Sequence, residues 1–223
     1  QKPIEMVKPG TYKMINLLTK EHKESTYFPL VFDTYYLNDI ASMDMIQKTL
    51  INAVKKRLLS DRPIGCLLSG GLDSSIIVSI MCHLVEPSSI RTFSIGMEGS
   101  PDLLASQKVA TYLGTNHTNV IVSEQEMLDA IEPTIKQIES FDTTTVRASV
   151  PMYLLSKYIN EKTNIKVILS GEGSDELSGS YLYFHKAPSS KEFQEECIRL
   201  IKDVQYFDVL RGDKTTAGNG LEI

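Results

Sequence analysis

Two short strings hold most of the residue types in this chain that could do chemistry. They are Ser69-Gly70-Gly71-Leu72-Asp73-Ser74-Ser75 and Leu169-Ser170-Gly171-Glu172-Gly173-Ser174-Asp175-Glu176. In the first, the glycines tolerate backbone conformations closed to other residues and let N–H groups approach a ligand. Those N–H groups, the serine hydroxyls and the positive end of a following helix suit a phosphate chain. Asp73 would repel a bare anion, so its place here makes sense as a ligand of Mg²⁺ carrying the phosphate charge. The Walker signature is absent, because no lysine follows the glycines.

The second string repeats the design with three carboxylates. Asp175 suits a second Mg²⁺ ligand, and Glu172, between two glycines, suits a general base or acceptor for an incoming nucleophile. Each string alone is also readable as a tight strand–helix connection, with Ser, Asp or Glu favourable at the helix start. Asp142-Thr143-Thr144-Thr145-Val146-Arg147-Ala148-Ser149 sets one arginine among hydroxyls, before a helix expected to hold Pro151 in its first turn. Arg147 could grip phosphate or carboxylate with two prongs, or be an ordinary surface charge. Tyr181 to Pro188 is aromatic with a cationic end and reads alone as packing. His22, His83, His117 and His185 stand apart from the cysteines, which argues against zinc, and no G-x-S-x-G elbow supports a hydrolase triad.

The elements around these strings alternate. Met43, Ile46, Leu50, Val54 and Leu58 fall at helical spacing, with Lys55, Lys56 and Arg57 where the dipole favours cations. Strands are expected at 64–68, 92–96, 119–122 and 165–169, and helices at 75–84, 102–113, around 125–138, 149–160 and 191–202. Continuously apolar strands alternating with helices imply a parallel sheet covered on both faces. Ligands of such sheets sit beyond the carboxyl ends of the strands, where both glycine turns fall. Residues 1–40 differ: turns and short aromatic stretches such as 27–32 suit strands and a linker. Arg211-Gly212-Asp213 and Gly218-Asn219-Gly220 read as loops.

Composition narrows the class. The 223 residues allow one full domain with a remnant of another. The chain is 42% hydrophobic and 23% charged, a composition of globular type. Its net charge of −5 argues against a general nucleic-acid binder. No apolar run approaches the ~20 residues of a membrane span. Three cysteines without C-x-x-C spacing suggest reduced thiols and a cytoplasmic protein. No signal or transit peptide is evident, and the start at Gln1 suggests a piece of something longer.

The S-G-G-x-D-S string resembles the signature of the pyrophosphatase-type ATP-binding fold, an adenine-nucleotide α-hydrolase-like (PP-loop) architecture. Together with Phe93-Ser94-Ile95-Gly96, Glu98 to Asp102, Tyr112 to Thr115, Thr144 to Ser149, Leu169 to Glu176 and Tyr181 to Pro188, it is similar to glutamine-dependent asparagine synthetase from about residue 40 onward. Residues 1–38 resemble the last strands of that family's glutaminase (amidotransferase) domain and a linker, and 39–223 its ATP-binding domain, incomplete at the C-terminus. The resemblance implies that ATP–Mg²⁺ adenylates the side-chain carboxylate of aspartate, giving β-aspartyl-AMP and pyrophosphate, and that ammonia then displaces AMP to yield asparagine. It implies backbone contacts from Leu68 and Ile95 to adenine or ribose, pyrophosphate held by Ser69, Gly70, Gly71, Asp73 and Ser74, and nucleotide contacts at Ser170 and Gly171. It implies Mg²⁺ on Asp73 and Asp175, Glu172 assisting ammonia, Arg147 holding the intermediate or pyrophosphate, a glutaminase domain as ammonia source, and a homodimer among its arrangements.

This chain departs from the family pattern at Ser180, usually glycine, and Asn219, usually tryptophan. The family's cysteine nucleophile for glutamine and its later acidic and lysine residues are not in this sequence, so glutamine hydrolysis is not expected of it. Two other readings stand beside this one: a related ligase such as β-lactam synthetase, and a nucleotide-binding or interaction module without turnover.

Overall fold

The structure is a computed structural model and describes residues 7–29, 43–206 and 208–223. The chain divides into two compact units, residues 1–41 and 42–223. In the first, strands β1 (Thr11–Ile15) and β2 (His22–Thr26) form an antiparallel hairpin with Thr11 opposite Thr26. Its connection is closed by Asn16, whose Oδ1 accepts from the amides of Leu18 and Thr19. The expected stretch 27–32 is described only to residue 29, which follows β2 as bends and coil; the rest of it lies outside the described residues, as does the expected boundary at 38/39.

The second unit opens with α1 (Met43–Arg57), basic in its last turn and buried through Val54. It then alternates β3 (Ile64–Leu67), α2 (Leu72–Leu84), β4 (Arg91–Gly96), α3 (Pro101–Leu113) and β5 (Asn116–Ile121). After α4 (Glu124–Asp129), α5 (Ile131–Ile138) and α6 (Thr143–Lys162) comes β6 (Val167–Leu169). The four strands are parallel, in the order β5-β4-β3-β6. Side chains alternate across this sheet and divide its core in two. Cys66, Leu68 and Leu169 pack with Val78, Met81 and Ala110 of α2 and α3 on one face. Phe93 and Ile168 pack with Leu155 and Ile159 of α6 on the other. The expected fold class, a parallel sheet with helices on both faces, is the observed one. Burial of Cys66 in the first layer pushes its thiol up to about 12, so this cysteine behaves as a small apolar side chain.

From β3 the chain moves outward to β4 and β5, then returns to place β6 on the other side of β3. The loops leaving β3 and β6 therefore part in opposite directions and open a crevice at the strand ends. Beyond β6 lie α7 (Ser174–Ser178), α8 (Ser190–Asp203) and α9 (Asp208–Ala217). The chain then returns to β6: Ile168 N–H donates to the Glu222 carbonyl at 2.7 Å, and Glu222 N–H to that of Lys166 at 2.8 Å.

Three expectations are corrected here. Pro151 is not in a first turn; α6 begins eight residues earlier, capped by the Asp142 carboxylate on Thr145 N–H at 2.9 Å, and carries Pro151 in its interior. The Arg211-Gly212-Asp213 stretch is helix, not loop, because α9 packs against α5 and α6 and buries Gly212, Thr215 and Thr216; Thr216 Oγ1 donates back to the Gly212 carbonyl at 2.7 Å. The third strand starts at Asn116 rather than 119, since polar His117 and Asn119 are used inside the sheet. Gly218 to Gly220 is the expected turn, and Asn219 closes it by donating to the Thr215 carbonyl at 2.8 Å. Among the described residues no helix is long and apolar enough to cross a membrane.

Candidate functional site

At the crevice the glycine turns after β3 and β6 meet. Gly171 has no room for a side chain: a Cβ there would stand 2.9 Å from the Ser74 amide nitrogen and 3.0 Å from the Asp73 carbonyl carbon. Gly70 serves the same turn differently. Its φ is +84° and a Cβ would stand 2.6 Å from the Ala105 backbone, so only glycine lets the loop double back against α3. It therefore shapes the site from beneath and is not part of the cleft wall. Gly71 has an ordinary φ of −68° and caps α2 without any side-chain hydrogen bond. No side chain of the cap therefore covers the amides of Leu72, Asp73 and Ser74, whereas Ser75 N–H donates to the Gly71 carbonyl. Inside the turn, Ser69 Oγ and Ser74 Oγ lie 3.0 Å apart, and Ser74 Oγ also reaches Ser69 N at 3.2 Å.

Around this junction is a cleft of about 300 Å³. Ser69, Gly71, Asp73 and Ser74 enter it from the first turn, and Ser170, Gly171, Glu172 and Asp175 from the second. Leu68 and Ile95, expected at the base, line it as well. Five further polar residues on its wall had no role assigned from the sequence: Ser94, Asp102, Ser174, Glu176 and Tyr181. Ser94 carried a signal, as a hydroxyl between the apolar Phe93 and Ile95 of its strand. It is held by Asn119 Oδ1 at 2.6 Å and lies 3.2 Å from His117 Nε2. His117 Nε2 is in turn 2.8 Å from Asn119 Oδ1, and Nδ1 is 2.9 Å from Thr92 Oγ1. Burial pushes this imidazole below its ordinary range, towards the neutral form. Glu176 was readable as one of three carboxylates in its turn, but its pairing with Tyr181 was not, because it depends on the turn between them: the Tyr181 hydroxyl donates to the buried Glu176 carboxylate.

Glu172 keeps an exposed surface while most of its surroundings are protein, as befits a side chain on a concave wall. This crowding raises its carboxyl above the ordinary range; Arg211 opposes the shift, and Glu176 and Asp175 add to it. Asp73 and Asp175 bring two carboxylates to the same cleft. Among the described residues no group of three or more His, Cys, Asp and Glu side chains could hold a metal unaided. Two hard oxygen donors beside a phosphate cradle nevertheless fit Mg²⁺, which takes one or two carboxylates and completes its shell with phosphate and water.

Arg147 is placed elsewhere. Val146 and Val150 turn one side of α6 inward, and Arg147, one position on, is exposed in a groove with Met97, Leu128, Ile131 and Phe141. Its neighbours Thr144 and Thr145 open instead onto a second cavity of about 400 Å³ that shares Glu176 and Tyr181 with the cleft. A cation facing the acidic turn is Arg211, which sequence reasoning had assigned to a loop. Part of the aromatic stretch packs as read, with Tyr183 stacked on Phe184 at 4.6 Å and Phe184 edge-on to Phe193 at 5.1 Å, whereas Tyr181 faces the cleft.

Two glycine turns converging on a helix start, with carboxylates around them and a parallel sheet beneath, define an α/β domain with a polar cleft at its topological switch point. The family model described as asparagine synthase matches residues 45–195, and the chain belongs to that family. It is 55% identical over 176 residues to the glutamine-hydrolyzing asparagine synthetase of Gallus gallus and 53% identical to that of Homo sapiens. Both alignments cover 77% of this chain and 31% of the relative, so the chain spans about a third of those proteins. Among solved structures, the NH3-dependent NAD synthetase of Campylobacter jejuni matches with a TM-score of 0.43 and 14% identity, over 75% of this chain and 77% of that one.

Proposed function

We propose that this chain provides the ATP-dependent half of asparagine synthesis: adenylation of the aspartate side-chain carboxylate, followed by attack of ammonia on the adenylate. The observation that carries the reading is the junction of the two turns, where Gly171 touches the backbone of Asp73 and Ser74. That contact puts the uncapped first turn of α2 and the carboxylates of the second turn on opposite walls of one cleft. In this reading the α2 amides and the hydroxyls of Ser69 and Ser74 hold the two distal phosphates, which leave as pyrophosphate when the aspartate carboxylate attacks the α-phosphorus. Leu68 and Ile95 seat the base and ribose. Mg²⁺, held by Asp73 and Asp175, would supply charge neutralisation for the phosphates. Fixed donors of this kind act where charge develops, commonly a large share of catalysis.

Glu172 then takes a proton from ammonia as nitrogen bonds to the acyl carbon and AMP departs with its bonding pair. Its raised carboxyl is a better base than an ordinary glutamate. Arg147, expected to hold the intermediate or pyrophosphate, opens onto a different groove from this cleft, and the reading assigns it no contact there. Glutamine hydrolysis by an amidotransferase domain supplies the ammonia in the complete enzyme of this reading, which we place in the cytoplasm. The deciding experiment follows AMP and pyrophosphate release from ATP–Mg²⁺, omitting aspartate and ammonia in turn. The expected result is release that requires aspartate. ATP binding without any release would instead favour a nucleotide-binding module without turnover, and release independent of aspartate would point to another ligase.

A further inference from the structure

The carboxylates of the acidic turn are held by the turn that follows them. At Gly179 φ is +63°, and a Cβ would stand 2.8 Å from the Phe193 ring and 3.0 Å from Cys197 Sγ. This position therefore needs glycine, and the chain reverses sharply behind α7. The reversal brings Ser180 N within 3.3 Å of the Asp175 carbonyl and directs the next two side chains back at the turn. Ser180 Oγ donates to Asp175 Oδ1, and the Tyr181 hydroxyl donates to Glu176. Behind Ser180, Ser178 Oγ lies 3.2 Å from Ser180 Oγ and 2.8 Å from the Ser174 carbonyl, and its single proton serves one of the two at a time.

We infer that Ser180 is a positioning residue for Asp175: its hydrogen bond occupies Oδ1 and fixes the carboxylate plane, so that the remaining oxygen lone pairs are presented to a cation in the cleft. A carboxylate offers about four lone-pair sites, and one donor can orient it without filling it. A donor next to a ligating carboxylate removes its rotational freedom before the cation arrives, which favours binding. The tyrosine beside it does the same for Glu176, so consecutive residues of one turn clamp consecutive carboxylates of the other. The inference rests on the reading of Asp175 as a Mg²⁺ ligand.

The test is calorimetric titration of ATP into wild-type, Ser180→Ala and Ser180→Thr chains over a series of Mg²⁺ concentrations, with melting temperatures measured without metal. The expected result is that Ser180→Ala raises the Mg²⁺ needed for half-maximal ATP affinity about tenfold or more. Metal-free ATP affinity and melting temperature should stay unchanged, and Ser180→Thr should restore the wild-type value. A Mg²⁺-dependent wild type matched by an equally dependent Ser180→Ala overturns the inference alone. A Ser180→Ala chain that loses metal-free ATP binding in equal measure also overturns it, by showing a structural role. A wild type whose ATP affinity ignores Mg²⁺ overturns the inference together with the metal reading beneath it.

Discussion

Glu172 is uncomfortable as an anion, and this makes it testable. Crowding raises its carboxyl, with Glu176 and Asp175 adding to the effect and Arg211 opposing it. A carboxyl raised in the folded state favours protonation there, so its contribution to stability is full at low pH and is lost as pH climbs through the folded value. Glu172→Gln should therefore melt at a higher temperature than wild type at pH 7. The difference should vanish near pH 4, where the glutamate is protonated in the folded state. Thermal melts at both values check this, and a variant less stable at pH 7 would contradict it. The same variant should retain ATP binding and lose amide formation, giving the trade of stability for chemistry expected of a functional site. The place of Glu172 in the cleft was legible because a carboxylate between two glycines has few structural uses. Arg147 was less so: a residue's side on a helix is set by which neighbours are buried, and Val146 and Val150 decided that.

At the scale of elements, the two glycines of the junction separate folding from binding. Gly70→Ala would place a methyl 2.6 Å from the Ala105 backbone at a φ of +84°. Strain and overpacking together should remove about 2–4 kcal/mol in urea melts. Gly171→Ala carries no positive φ, and its methyl at 2.9 Å from Ser74 N would push the turns apart at the cleft. It should weaken ATP binding about tenfold or more while costing less stability, since misplacement by about 1 Å is expensive in a preorganised site. Equal stability losses in the two variants would argue against this division. The turns themselves were readable, because glycines between an apolar strand and an apolar helix have a recognisable pattern. The boundaries of α6 and α9 were not. A proline normally marks a helix start, and α6 spans Pro151. Gly212 suggested a break, but α9 buries Gly212 with Thr215 and Thr216 against α5 and α6.

For the whole molecule, the parallel sheet was evident in the alternation of apolar strands and helices, but the strand order was not. Nothing local says that β6 must pair with β3, because that choice is made by core layers contributed from distant helices. The order has a kinetic consequence. Gly65 pairs with Arg91 soon after it in sequence, but its other neighbour, Ile168, arrives only after five intervening helices. Closing a longer loop costs more entropy, and non-local pairings slow folding. The half of the sheet bearing the first glycine turn can form early, whereas β6 and the second turn dock last. Nucleotide would then find its two-walled seat only after the rate-limiting step. In denaturant-dependent kinetics, saturating ATP–Mg²⁺ should slow the unfolding limb and leave the refolding limb where it was. The ligand would thus act as a latch on a finished molecule and take no part in building it.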